Sequence, residues 1–102
     1  MKPSYSKSSL APIVVTRVSG TTLSVQFEEP AESMFYAGGV SYTVEANVMR
    51  IVIDRCRIST ECVTMLPRHI VPGPAKPASQ DIPLLAPRVV MVFLDGEEQV
   101  FP

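Results

Sequence analysis

The stretch VSYTVEANVMRIVIDRCRISTEC, residues 40–62, decides the fold, because it joins the longest β-type patterning of the chain to a change of face and to both cysteines. From Val40 to Ala46 the chain alternates. Val40, Tyr42, Val44 and Ala46 fall on one face, and Ser41, Thr43 and Glu45 on the other. A period of two is that of a half-buried strand. After Asn47 the phase changes, since Met49, Ile51 and Ile53 become the apolar set. A one-residue slip turns every side chain to the opposite face, so a bulge or a turn at Ala46-Asn47 must absorb it. The reading favours one long, bulged strand over two strands. Val44, Val48, Ile51 and Val52 also fit helical spacing, but residues branched at Cβ dominate the stretch and suit a pleated surface better.

Working toward the N-terminus, Ala11 to Val18 and Thr21 to Glu28 read as a β-hairpin joined at Ser19-Gly20, with Gly20 expected at positive φ. If Val18 faces Thr21, then Val14, Thr16 and Val18 share the buried face with Leu23, Val25 and Phe27. Ile13 and Val15 are then the exceptions. Glu28-Glu29-Pro30 ends the second strand, because proline removes a ladder donor. Residues 31–39 are expected as a loop or helical turn, with Met34, Phe35 and Tyr36 folded back on the core in preference to forming an exposed contact patch. The opening MKPSYSKSSL, residues 1–10, lacks the apolar centre of a signal peptide and reads as a flexible leader.

Toward the C-terminus, Val63 to Leu66 forms a short strand before a proline-rich arm over residues 67–87. The arm gathers six of the ten prolines, too many for an internal strand or helix. It is expected to wrap over a sheet edge with Ile82, Leu84 and Leu85 as anchors, although Pro74-Ala75-Lys76-Pro77 also makes a minimal PxxP. Arg88 to Leu94 is apolar on both faces and reads as a central strand. Asp95-Gly96 is the strongest hairpin signal, placing Leu94 opposite Glu97 and Met91 opposite Val100. The acidic return, Glu97 to Phe101, suits a protected edge.

These elements predict an all-β, antiparallel β-sandwich of six or seven strands over residues 11–102, immunoglobulin-like in shape and interrupted by one long proline-rich connection. The chain has no tryptophan, and its cysteines stand too close together for the inter-sheet pair of antibody domains. Membership of that family is therefore not claimed. A chain of 102 residues fits one domain, and a net charge of -1 does not point to nucleic acid. No apolar run is long enough to span a bilayer.

Cys56 and Cys62 frame RISTE and can close a small disulfide loop if the chain reverses near Ser59-Thr60. An even, closely spaced pair favours an oxidising compartment, periplasmic or extracellular, with the cytoplasm as the rival. The spacing does not match a zinc site, the acidic groups do not match a calcium loop, and no cofactor motif is present. His69 lacks the sequence context of a catalytic base. Arg55, Arg57, Arg68, His69 and Lys76 gather where the cysteine loop meets the arm, and guanidinium groups recognise carboxylates and phosphates with paired hydrogen bonds. The expected function is non-catalytic binding of another macromolecule, a protein, through these residues. The alternatives are a structural subunit that docks by strand or arm, and a small hydrolase or thiol enzyme using His69.

Overall fold

A computed structural model describes residues 2–68 and 78–102. The chain is a β-sandwich whose described residues form one short helix, α1 (Lys7–Leu10), and eight strands: β1 (Val14–Ser19), β2 (Thr22–Phe27), β3 (Phe35–Glu45), β4 (Val48–Arg57), β5 (Leu66–Pro67), β6 (Ala78–Pro83), β7 (Arg88–Phe93) and β8 (Gly96–Phe101). A small sheet has the order β1-β2-β6 and a large one the order β5-β3-β4-β7-β8. All pairings are antiparallel except β4 with β7.

The deciding stretch is two strands, not one bulged strand. Ala46 and Asn47 have φ values of 52° and 64°, and Glu45 pairs with Val48. Consecutive positive φ angles give a turn whose twist matches that of the flanking strands, which asparagine tolerates well. The change of face is the signature of the hairpin. Val40 opposes Ile53 and Tyr42 opposes Ile51, so both apolar sets face the small sheet. There they meet Leu23, Val25, Phe27, Ile82, Val89, Met91 and Phe93 in one buried core. With β5 and β6 also formed, the described residues hold eight strands, against the expected six or seven.

The β1–β2 hairpin forms in a shifted register. Val15 pairs with Val25 and Arg17 with Leu23, while a bulge at Val18 brings Ser19 opposite Thr22. Ile13 and Val15, expected as exceptions, are therefore the residues packed on the core, and Val14 and Val18 point to solvent. Gly20 is not at positive φ; among the described residues Gly96 is the glycine that adopts it. The last hairpin turns at Leu94-Asp95, two places from the expected register, so Phe93 opposes Gly96 and Met91 opposes Glu98. β7 is central and β8 is an edge, as its acidic side chains suggested.

Residues 2–10 run against the sandwich. Tyr5 and Leu10 are buried in the core, and the segment is tied down by Leu94 N–H donating to the Tyr5 carbonyl and Glu28 N–H donating to that of Leu10. Ser6 to Ser9 form a polar run between Tyr5 and Leu10, the two residues that dock. Much of the proline-rich arm, residues 69–77 with the PxxP segment, lies outside the described residues. From Ala78 the arm forms β6, which lines the edge of β2 with Ile82 in the core; beyond the strand Leu84 packs against the core and Leu85 is exposed.

Candidate binding site at the cystine end of the sandwich

β3 and β4 end together where the cysteines lie. Cys56 and Cys62 are bonded, with Cα atoms 5.3 Å apart, and the loop between them reverses at Ser59, whose φ is 70°. The Thr60 hydroxyl donates to the Arg57 carbonyl at 2.9 Å and closes the turn. Beyond Cys62 the chain forms a strap that crosses β3 at Gly38 and Gly39. A Cβ on Gly38 would collide with both cystine sulfurs. On Gly39 it would collide with the Leu66 carbonyl and the Thr64 side chain. The two glycines are thus the saddle on which the strap sits, and β3 carries a bulge there, between Ala37 and Gly39.

Polar contacts hold the strap along its length. Asp54 accepts from the Ser41 hydroxyl at 2.5 Å and from the Thr64 hydroxyl at 2.6 Å. Leu66 and Pro67 pair with Val40 and Gly39, and the Gln80 carboxamide donates to the Leu66 carbonyl at 2.7 Å, joining the two sheets along one side. Arg68 then turns inward. Its side chain, 9% exposed, donates from Nε to the Ala37 carbonyl and from Nη2 to Glu29, and its guanidinium carbon lies 5.8 Å from the centre of the Phe27 ring.

Arg55 is also engaged. It lies over the Phe35 ring at 3.7 Å and makes a two-toothed contact with Glu32 through Nε and Nη2. The hydrogen bond from Arg55 holds the Glu32 carboxyl below the usual carboxylate range, and the same bond raises the guanidinium. Near this pair the Tyr5 hydroxyl is buried without a hydrogen-bond partner, and burial, reinforced by Glu32 and Glu29, pushes its pKa up to about 12.

Of the five residues expected to bind, the structure therefore brings Arg55, Arg57 and Arg68 to one end, but only Arg57 is exposed and outside the ion pairs among the described residues. His69 and Lys76 lie outside the described residues. Sequence reasoning missed the acidic partners, Glu29 and Glu32, which follow β2 and face the arginines across the end of the sandwich. The alternative reading of Met34 as part of an exposed contact patch is the one met here, and the patch extends to Ile58 and Val63, which sequence reasoning did not single out. Met34 is 47% exposed, Ile58 46% and Val63 85%. The Met34 carbonyl accepts from Ile58 N–H at 2.8 Å, so these two residues extend the hairpin past its last paired strand residues. Compared with known protein families, curated proteins and solved structures, the chain matches none.

Proposed function

We propose that the protein is a non-catalytic binding domain of an exported protein, which recognises a protein partner through the cystine end of its sandwich. The observation that carries this reading is the set of exposed apolar side chains, Met34, Ile58 and Val63, around a covalently closed loop that also presents the exposed Arg57, which joins no ion pair among the described residues. A fixed loop loses little conformational freedom on docking, and an apolar group beside a guanidinium is a common composition for an interface centre. Arg55 and Arg68 serve this surface as its frame, because their charges are taken up by Glu32 and Glu29. A closed cystine in a small domain fits a periplasmic or extracellular location.

Photo-crosslinking in the native host tests the reading. A benzoylphenylalanine at Ile58 or Val63 is expected to trap one discrete protein adduct, which Arg57→Glu abolishes. The same probe at Val44, at the far end of β3, is expected to trap none. Equal labelling from all three positions, or none from any, overturns the proposal.

Self-association is a second reading, favoured by β1, an edge strand whose Val14 and Val18 project to solvent. A sedimentation coefficient that rises with concentration and returns to the monomer value in Val14→Lys supports it. A concentration-independent monomer removes it.

A further inference from the structure

Among the described residues the two sheets end in β1, β6, β5 and β8, and all but one of these edges are protected. Short length, proline and charge are the devices that keep an edge from pairing with another chain. β5 has only two residues, one of them Pro67, and just past it the Tyr42 N–H of β3 is taken by the Met65 sulfur. β6 carries Asp81 and Pro83, and β8 carries Glu97 and Glu98. β1 has none of these devices. Its sequence, VVTRVS, holds no proline, acid or lysine, and its one charged side chain, Arg17, is folded back onto the carbonyls of Ser19 and Gly20.

The backbone of β1 shows which of its groups face outward. The Thr21 carbonyl accepts from Leu84 N–H, on the β6 side of β2. Peptide groups alternate sides along a strand, so those of Leu23 and Val25 also turn toward β6. Antiparallel partners either face each other or both face away. Val15 and Arg17, opposite Val25 and Leu23, therefore direct their N–H and C=O groups to the open side of the sheet. The side chains of Val14, Thr16 and Val18 are exposed beside them.

We propose that β1 pairs antiparallel with β1 of a second copy about a twofold axis at Thr16, an assignment that rests on the self-association reading above and gives it a register. Val15 N–H donates to the Arg17 carbonyl of the second copy, whose Arg17 N–H donates back to the Val15 carbonyl, and the axis repeats both bonds. Thr16 then faces Thr16, and Val14 faces Val18, in the closely spaced positions between hydrogen-bonded pairs where side chains touch. The strand is thus its own complement. The next register in one direction would set Arg17 against Arg17, and the next in the other would leave Val18 beyond the start of the opposing strand. The small sheets of the two copies become one continuous sheet, and the unprotected edge is gone. The pairing leaves the cystine end free and does not depend on the role proposed for it.

The test is disulfide trapping in the full-length protein, read on a non-reducing gel after mild oxidation, together with sedimentation over a range of concentrations. The native cysteines are bonded to each other, so a cysteine introduced on β1 is the reactive thiol. Thr16→Cys is expected to give a covalent dimer. Val14→Cys and Val18→Cys are each expected to stay monomeric alone and to cross-link when mixed, because in this register two copies of Val14 stand about 13 Å apart, beyond the roughly 7 Å that a disulfide allows. Thr16→Lys, which sets two ammonium groups face to face, is expected to return sedimentation to the monomer value, and mixing it with Thr16→Glu to restore the dimer. A wild-type protein that stays monomeric at every concentration overturns the proposal together with the self-association reading. A dimer in which Thr16→Cys does not cross-link, or in which Val14→Cys cross-links with itself as readily as with Val18→Cys, overturns this pairing and leaves self-association standing.

Discussion

The Glu29 carboxylate and the Arg68 guanidinium, 2.7 Å apart, close on the same backbone position from two sides: Glu29 accepts from the Ala37 N–H, and Arg68 donates to the Ala37 carbonyl. Ala37 lies at the bulge of β3, where the ladder to β4 is interrupted. The ion pair thus supplies the hydrogen bonds that an irregular strand position needs when it is buried.

Arg68→Met removes both of its bonds and leaves the Glu29 carboxylate with an unpaired charge. A loss of about 2 kcal/mol is expected, less than for a fully buried pair because Glu29 is partly exposed. Denaturant unfolding of Arg68→Met, Glu29→Gln and the double variant checks it. Additive losses would show that the two side chains do not act as a unit.

Gly38→Ala places a methyl group against both cystine sulfurs. The expected cost is about 2 kcal/mol in the oxidised protein. In the Cys56→Ser, Cys62→Ser background the same substitution is expected to cost less than half as much. An equal penalty in both backgrounds would mean that the cystine does not make Gly38 necessary.

Reducing the cystine opens a loop of five intervening residues and is expected to lower stability by about 2 kcal/mol through the entropy of the unfolded chain. Because the strap begins at Cys62, protection against hydrogen exchange is expected to fall first at Arg68 N–H, which donates to the Gly38 carbonyl. Uniform loss of protection over both sheets would contradict a local anchoring role.

Tyr5 combines a buried hydroxyl with no partner among the described residues and a pKa raised to about 12 from its ordinary value of 10.0. Between these values the folded protein retains a proton that the unfolded chain releases. Its contribution is therefore complete below pH 10 and is lost as the pH rises toward 12. The tyrosinate absorbance of wild type minus Tyr5→Phe is expected to titrate near the upper value. At neutral pH Tyr5→Phe is expected to stabilise the fold by about 1 kcal/mol, since it removes an unsatisfied polar group. A difference titration centred on the ordinary tyrosine value would refute the burial argument.

A pair of substitutions on β1 tests its register. Val15→Asp is expected to cost about 2 kcal/mol and Val14→Asp about 0.5 kcal/mol, because the first faces the core and the second faces water. The reverse order would restore the register expected from the sequence. The alternating apolar residues disclosed both hairpins, the central place of β7 and the acidic edge of β8. They did not disclose the bulge at Val18 or the turn at Leu94-Asp95, since an unpaired backbone position leaves no hydropathy signal.

The site divides in the same way. The spacing of Cys56 and Cys62 announced a loop, and the arginines around it were visible as a group. That Arg55 and Arg68 would be occupied by Glu32 and Glu29 depends on a contact across the end of the sandwich, and local patterning carries no information about it. Tyr5 was hidden for a related reason. A short polar opening gives no periodicity, yet one aromatic ring within it is enough to join the core.

The parallel pairing of β4 with β7 has a consequence for the order in which a growing chain can acquire structure. The β1–β2 and β3–β4 hairpins need only neighbouring residues, whereas β4 gains its second partner when the ribosome has delivered Arg88 to Met91. Until then the edge of Val48 to Ile51 lies open, next to the apolar stretch Met49 to Ile53. Such an edge is a template for other chains, and pairings so distant in sequence form slowly. A polypeptide cut short before Arg88 is therefore expected to aggregate, although it contains both cysteines and most of the core strands. The β7 residues thus act as the guard of a strand made long before them.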